Sequence, residues 1–387
     1  MKKLPLLLCL SLLSGCSWMK FWEGDDAESK VAPAKLTSFD EEIRIQRLWA
    51  RSAGSGQDPL FSGLVPAIAD GRVYAAGSKG TVVAVSAATG EVLWRRELDE
   101  TRLSGGVGHG GGMVLVGDLE GRLHALDADT GRLLWERFLG SEIISAPAAN
   151  DRVVAVQTVD DTLLGLNAGD GSQLWQYDAE TPNLTLRGTS SPLVTSTMAI
   201  TGFANGKIVA LNAGTGSLLW ESRVAVPKGR TELERMVDID GSPLLAEDVV
   251  YVTSYQGRAA AMSRGTGREL WLQEISSHQQ PGYGLDQVYI TETDDTLTAL
   301  RANSGQVLWS NDQLTYRKLT APVYVNGYVA VADADGYLHV LSPVDGRLVG
   351  RTKVDGSGVS SAMVTDGESL YVLDNDGDIK AYSLKAR

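Results

Sequence analysis

Short runs in which apolar and polar residues alternate return in the same order about every forty residues along most of the chain. In one period they occupy residues 144–148, 153–158, 163–167 and 173–178, with Gly, Asn or Asp between them. Such alternation, rich in Val, Leu and Thr and punctuated by turn residues, predicts four antiparallel strands per period. A phrase close to Ala-Leu-x-Ala-x-x-Gly-x-x-Leu-Trp joins the third piece to the fourth and ends at Trp94, Trp135, Trp175, Trp220, Trp271 and Trp309. A seventh copy carries Gly350 in the Trp position. Its turn glycines, at 90, 131, 171, 216, 267, 305 and 346, are spaced by 41, 40, 45, 51, 38 and 41 residues. A period of this size made of short strands predicts an all-β fold, a β-propeller.

The blade count follows from the chain ends. Residues 360–364, 369–373 and 378–383 supply three strands of a last blade, and residues 45–50, with Trp49, supply the missing outer one. Pairing the termini gives an eight-bladed β-propeller over 42–387 and leaves no blade incomplete. Ala-, Gly- and Ser-rich first strands suit a crowded central channel, and each Trp is placed to pack on the neighbouring blade.

The first residues are of another kind. Lys2 and Lys3 precede an apolar run from residue 4 to 13, then Leu13-Ser14-Gly15-Cys16. This describes a signal peptide over 1–15. The run is shorter than the ~20 residues a membrane span needs. Leu-Ser-Gly-Cys resembles a bacterial lipobox, in which Cys16 is lipidated and becomes the new N-terminus. Ser17, where an Asp would favour inner-membrane retention, implies an outer-membrane address at the periplasmic face. Residues 16–41 have no sustained periodicity and read as the lipidated Cys and a flexible tether. Trp18, Met19, Phe21 and Trp22 beside the lipid suit a bilayer interface, and an inert linker is the equal alternative.

Composition narrows the chemistry. Of the two cysteines, Cys9 leaves with the signal and Cys16 is the anchor, so Cys nucleophiles and Cys-ligated metals are excluded from the mature body. Losing Lys2 and Lys3 takes the net charge from −13 to −15, which argues against nucleic acid. Asp374-Asn375-Asp376-Gly377-Asp378 resembles a calcium loop but occupies the hairpin between second and third strands. Residues 105–112 are Gly-rich, yet no Lys-Ser/Thr or helix follows, so they are no phosphate cradle. His124 and His339 fall at matching third-strand positions, which points to a role in the repeat, and His109 and His278 have no metal-ligand spacing. No metal or other cofactor is expected.

The intervals of 45 and 51 mark two insertions, at residues 178–190 and 222–242, both links from a fourth strand to the next blade's first. Successive links of this type emerge on one face, so the two long loops are neighbours, and long loops on a rigid scaffold commonly carry function. The first places Leu184, Leu186 and Arg187 on an exposed segment; the second carries Glu232 through Asp240, with a short helix over 231–236. Apolar anchors beside Arg and carboxylates suit a protein-contact patch. Two other readings are that the leucines fold back, or that Arg187 pairs with Asp238 or Asp240 to fix loop shape.

The lipobox, the Trp-bearing eightfold repeat, Leu184-Thr185-Leu186-Arg187 ahead of Ser191-Pro192, and Asp238-Ile239-Asp240 together resemble the BamB lipoproteins of the outer-membrane β-barrel assembly machinery. The resemblance covers nearly the whole chain. It implies a non-catalytic scaffold in which Leu184, Leu186, Arg187, Asp238 and Asp240 contact the periplasmic POTRA region of BamA, and through it the other lipoproteins of the machinery. Contact with unfolded outer-membrane proteins is left open, and the protein is expected as a monomer within a hetero-complex. The competing readings are a pyrroloquinoline-quinone dehydrogenase, whose repeat is similar, and a propeller that binds a ligand in its channel.

Overall fold

A computed structural model describes residues 32–57 and 63–387. Eight four-stranded antiparallel sheets follow one another along the chain. Blade 1 runs through Ala67–Ala69, Arg72–Ala76, Thr81–Ser86 and Val92–Glu97. Blade 8 comprises Val364–Thr365, Ser369–Leu373 and Asp378–Ala386, with Ile43–Ser52 hydrogen-bonded outside the last of these. The closing ladder runs from Ile43 opposite Ala386 to Ser52 opposite Asp378. The expected eight blades and the closure by the N-terminal strand are thus both present.

Inner strands are shorter than the sequence suggests. Blade 3 keeps only Ala148–Ala149, because residues just before it turn toward the next blade, where the Ala146 N–H donates to Ser191 Oγ at 3.0 Å. Pro66, Pro147, Pro192, Pro243, Pro281 and Pro322 stand just ahead of six inner strands, where an N–H facing the channel would have no ladder partner.

Each outer strand contains a bulge at the residue before the Trp position, as between Leu133 and Trp135 opposite Leu126 and Ala125. The bulged residue is usually a partly exposed Leu, whereas the Trp turns into the seam with the following blade. There Trp94 donates its indole N–H to the Ala128 carbonyl at 2.9 Å, and Trp135 does the same to Ala168 at 2.9 Å. The same bond recurs from Trp49, Trp175, Trp220, Trp271 and Trp309. The ring also covers the acceptor turn: a Cβ on Gly131, already at φ +68°, would lie 2.5 Å from Trp94.

Seven tryptophans therefore staple seven seams, and the eighth explains the missing Trp. A staple needs the turn between third and fourth strands of the next blade, but in blade 8 those strands are the two ends of the chain. Gly350 faces that gap, and a Cβ on it would meet the Ile43 carbonyl at 3.2 Å. Burying most of an indole, roughly 200 Å² at ~25 cal/mol/Å², contributes about 5 kcal/mol before ordering costs. Trp135→Ala is expected to destabilise by about 3–5 kcal/mol, measured by denaturant titration.

A second repeated device sits at the inner turns. Asp118 reaches His124 at 3.1 Å, Asp333 reaches His339 at 2.9 Å, and Asp374 holds the Lys380 ammonium. In each pair the carboxylate opens the second-to-third-strand turn and its partner lies six residues on. Asp374 thus belongs to a hairpin clamp, as the repeat implied for this acidic run.

The segment ahead of the closing strand departs from expectation. From Ala34 on it is laid against blade 7, where Leu36 and Phe39 pack on the core shared by blades 6 and 7. The part of the expected flexible tether that is described is thus held against the propeller, as a strap, from residue 34 on. The signal, the lipobox at Cys16 and residues up to 31 lie outside the described residues.

Candidate functional site

Both long links emerge on the face that carries the second-to-third-strand turns. The first is tied down at Asp160, whose carbonyl accepts from Thr181 Oγ1 (3.2 Å), and at Asn205, whose Nδ2 donates to the Glu180 carbonyl (3.1 Å). The second places Gln256 Nε2 on the Leu233 carbonyl at 3.2 Å. Its helical portion is a single 3-10 turn, Leu233–Arg235. Thr231 and Glu234 cap it reciprocally: Glu234 N–H donates to Thr231 Oγ1 (3.2 Å), and Glu234 Oε2 accepts from the Thr231 N–H (3.3 Å).

The candidate residues divide by burial. Leu184 is 42% exposed, Leu186 is half-buried, and Arg187 is exposed. Asp238 is wholly buried, so its carboxylate faces the other loop and not solvent. It accepts the Leu186 N–H and so clamps the two links together. Its neighbour Ile239 enters the core against Gly202, where a Cβ would meet its Cγ2 at 2.1 Å, so both residues of this stretch are buried. Asp240 is half-buried against the backbone at Gly188, where a Cβ would fall 2.6 Å from its carboxyl carbon. Arg187 does form a loop-fixing pair, with Glu142 of the preceding link at 2.7 Å. Leu233, 61% exposed on the capped turn, belongs to this surface and was not singled out from the sequence. The Thr231 to Glu234 capping spacing could have signalled it, because it sets which side of the turn faces outward.

Burial pushes the Asp238 carboxyl up to about 6, helped by the charge of Asp161 and opposed by the Leu186 N–H. Burial, with Asp238 and Asp161 nearby, pushes Asp240 up to about 7. Groups whose folded pKa is raised contribute stability that is complete below their unfolded value near 4 and lost as pH rises through about 6 to 7. The urea midpoint is expected to rise as pH falls from about 8 to about 5, and Asp240→Asn to remove part of that rise.

Arg187, Asp240, Ser191, Ser242 and His278 also line the mouth of the central channel, a cavity of about 870 Å³. His109 instead stacks on Tyr74 at 5.5 Å, and burial lowers its pKa. Among the described residues no group of three or more His, Cys, Asp or Glu side chains is arranged to hold a metal.

With this geometry in place, likeness to known proteins is informative. The family profile described as outer membrane protein assembly factor BamB matches residues 36–102, 78–311 and 312–386. The outer membrane protein assembly factor BamB of Pseudomonas aeruginosa is 45% identical over 380 residues, covering 98% of each chain. That of Escherichia coli strain K12 is 33% identical over 385 residues, covering 97% of each. The crystal structure of BamB from Moraxella catarrhalis superposes with a TM-score of 0.80 at 30% identity, over 88% of this chain and 100% of that one. A quinohemoprotein alcohol dehydrogenase from Comamonas testosteroni reaches a TM-score of 0.68 at 15% identity, over 88% and 76%, a likeness of fold alone. The non-catalytic reading is carried by the assembly-factor relatives, and the chain belongs to the BamB family of outer-membrane protein assembly factors.

Proposed function

We propose that the protein is the BamB-type lipoprotein of its outer-membrane β-barrel assembly machinery. It is held by a lipid on Cys16 at the periplasmic face of the outer membrane and docks through its two long links on the POTRA region of BamA. Docking on BamA also brings it beside the other lipoproteins of the machinery. Family membership supports the assembly role. The observation that carries the docking surface is the clamp: Asp238 holds the Leu186 backbone, so two successive links present Leu184, Arg187 and Leu233 from one rigid platform. Preorganised apolar anchors beside a charged group are the form that a binding hot spot takes. Leu184, Leu186 and Arg187 supply contact, whereas buried Asp238 acts by positioning the first link and Asp240 by packing under Gly188.

A photo-crosslinking amino acid at position 184 tests this in cells. It is expected to capture BamA, whereas the same group at Val344, 82% exposed on the opposite face, is expected to capture none. Equal capture from both positions, or none from 184, contradicts the assigned surface.

A further inference from the structure

The strap ahead of the closing strand sets a direction. The closing strand begins at Ile43, opposite Ala386, on the face away from the long links. A chain free up to residue 41 would therefore leave the propeller from that far face. The strap carries it back. Glu42 N–H donates to the Val349 carbonyl at 2.9 Å, near the start of the outer strand Leu348–Lys353. Midway, Arg351 donates to the Thr37 carbonyl at 2.9 Å and lies 4.9 Å over the Phe39 ring. At the other end Ala34 donates to Thr315 at 2.9 Å and accepts from Arg317 at 3.0 Å. Arg317 also holds Asp335, in a turn on the face of the long links. Nine residues of extended chain at ~3.3 Å each span roughly 25–30 Å, enough to cross a blade from face to face.

The attachment is built into the core and not merely laid on the surface. Arg317 is itself buried, and it shares the Asp333 carboxylate with His339, whose Nδ1 accepts from Arg351 at 3.1 Å. One buried Asp-His pair thus orients both arginines that grip the strap.

We propose that this strap sets the polarity of the tethered propeller, moving the departure point of the N-terminal anchor onto the face that carries the long links. The proposal rests on the lipid anchor at Cys16 described above, and it is independent of which residues dock on BamA. Seventeen positions separate Cys16 from Ala34, at most about 60 Å of chain, so the departure point decides which face can lie close to the bilayer.

Energy transfer tests it with the lipidated full-length protein in phosphatidylethanolamine/phosphatidylglycerol vesicles carrying an acceptor-labelled lipid. A donor is placed on a single cysteine at exposed Lys79, in a turn on the link face, or at exposed Thr89, in a turn on the far face. Transfer from position 79 is expected to exceed that from 89, and Leu36→Ser with Phe39→Ser to abolish or reverse the order. Both substitutions lie outside the blades, and an unchanged melting transition establishes that the propeller is intact. Equal transfer from both positions, failure of the lipidated chain to associate with vesicles, or an order unaffected by the strap variant would overturn the proposal. Loss of BamA capture at position 184 with the transfer order preserved would refute the docking surface and support the polarity.

Discussion

Deletion of residues 43–52 is expected to abolish cooperative folding. That strand pairs along its whole length with Asp378–Ala386, and it brings Trp49, the staple between blades 8 and 1, onto the Ala87 carbonyl at 2.9 Å. It also buries Ile43 in the core shared by blades 7 and 8. The Trp alone is worth about 3–5 kcal/mol, and the lost ladder exposes a long unpaired edge. Their sum is comparable to the whole stability of a typical protein, about 5–15 kcal/mol. Near-ultraviolet circular dichroism through a thermal ramp is expected to show a sharp transition in the intact chain and none in the deletion. Val344→Ser, at an exposed turn, is expected to leave the midpoint where it was. A sharp transition in the deletion variant would mean that closure does not hold the ring.

The closing strand was legible because the repeat demanded a fourth strand for the last blade, and Trp49 lay where one was missing. The same logic accounts for Gly350 once the chain ends are seen to interrupt the only turn on which a Trp there could dock. His124 and His339 were legible as parts of the repeat, but their carboxylate partners at Asp118 and Asp333, six residues earlier, required the hairpin's geometry.

Two features lay beyond reach of pattern. Residues 34–41 show no periodicity because the strap is held by Arg317 and Arg351, almost three hundred residues and more away in sequence, and not by pairing of its own. Asp238-Ile239-Asp240 reads as an acidic loop tip, and nothing local says that Ile239 enters the core and that Asp238 is buried under the other link. The site was therefore legible as two loops, while the division between exposed side chains and a buried carboxylate came only with packing.

The second large effect concerns docking. Leu184, Leu186 and Arg187 stand on a link whose start is fixed by Asp160 and Asn205, whose middle is fixed by Asp238 and whose far end is fixed by Ser242 on the Ser191 N–H, so truncating the side chains leaves the backbone path in place. Interface anchors of this kind each account for ~1–2 kcal/mol or more, and three together should weaken binding at least about 100-fold. Asp238→Asn retains an acceptor for the Leu186 N–H and is expected to cost much less than Asp238→Ala, which releases the link.

Isothermal titration of the purified propeller into the POTRA region of BamA is the most direct test. Leu184→Ala, Leu186→Ala and Arg187→Ala combined are expected to lower affinity at least about 100-fold with an unchanged melting transition. Binding by that folded triple variant within about twofold of the unaltered protein would contradict the central claim that the paired links form the docking surface.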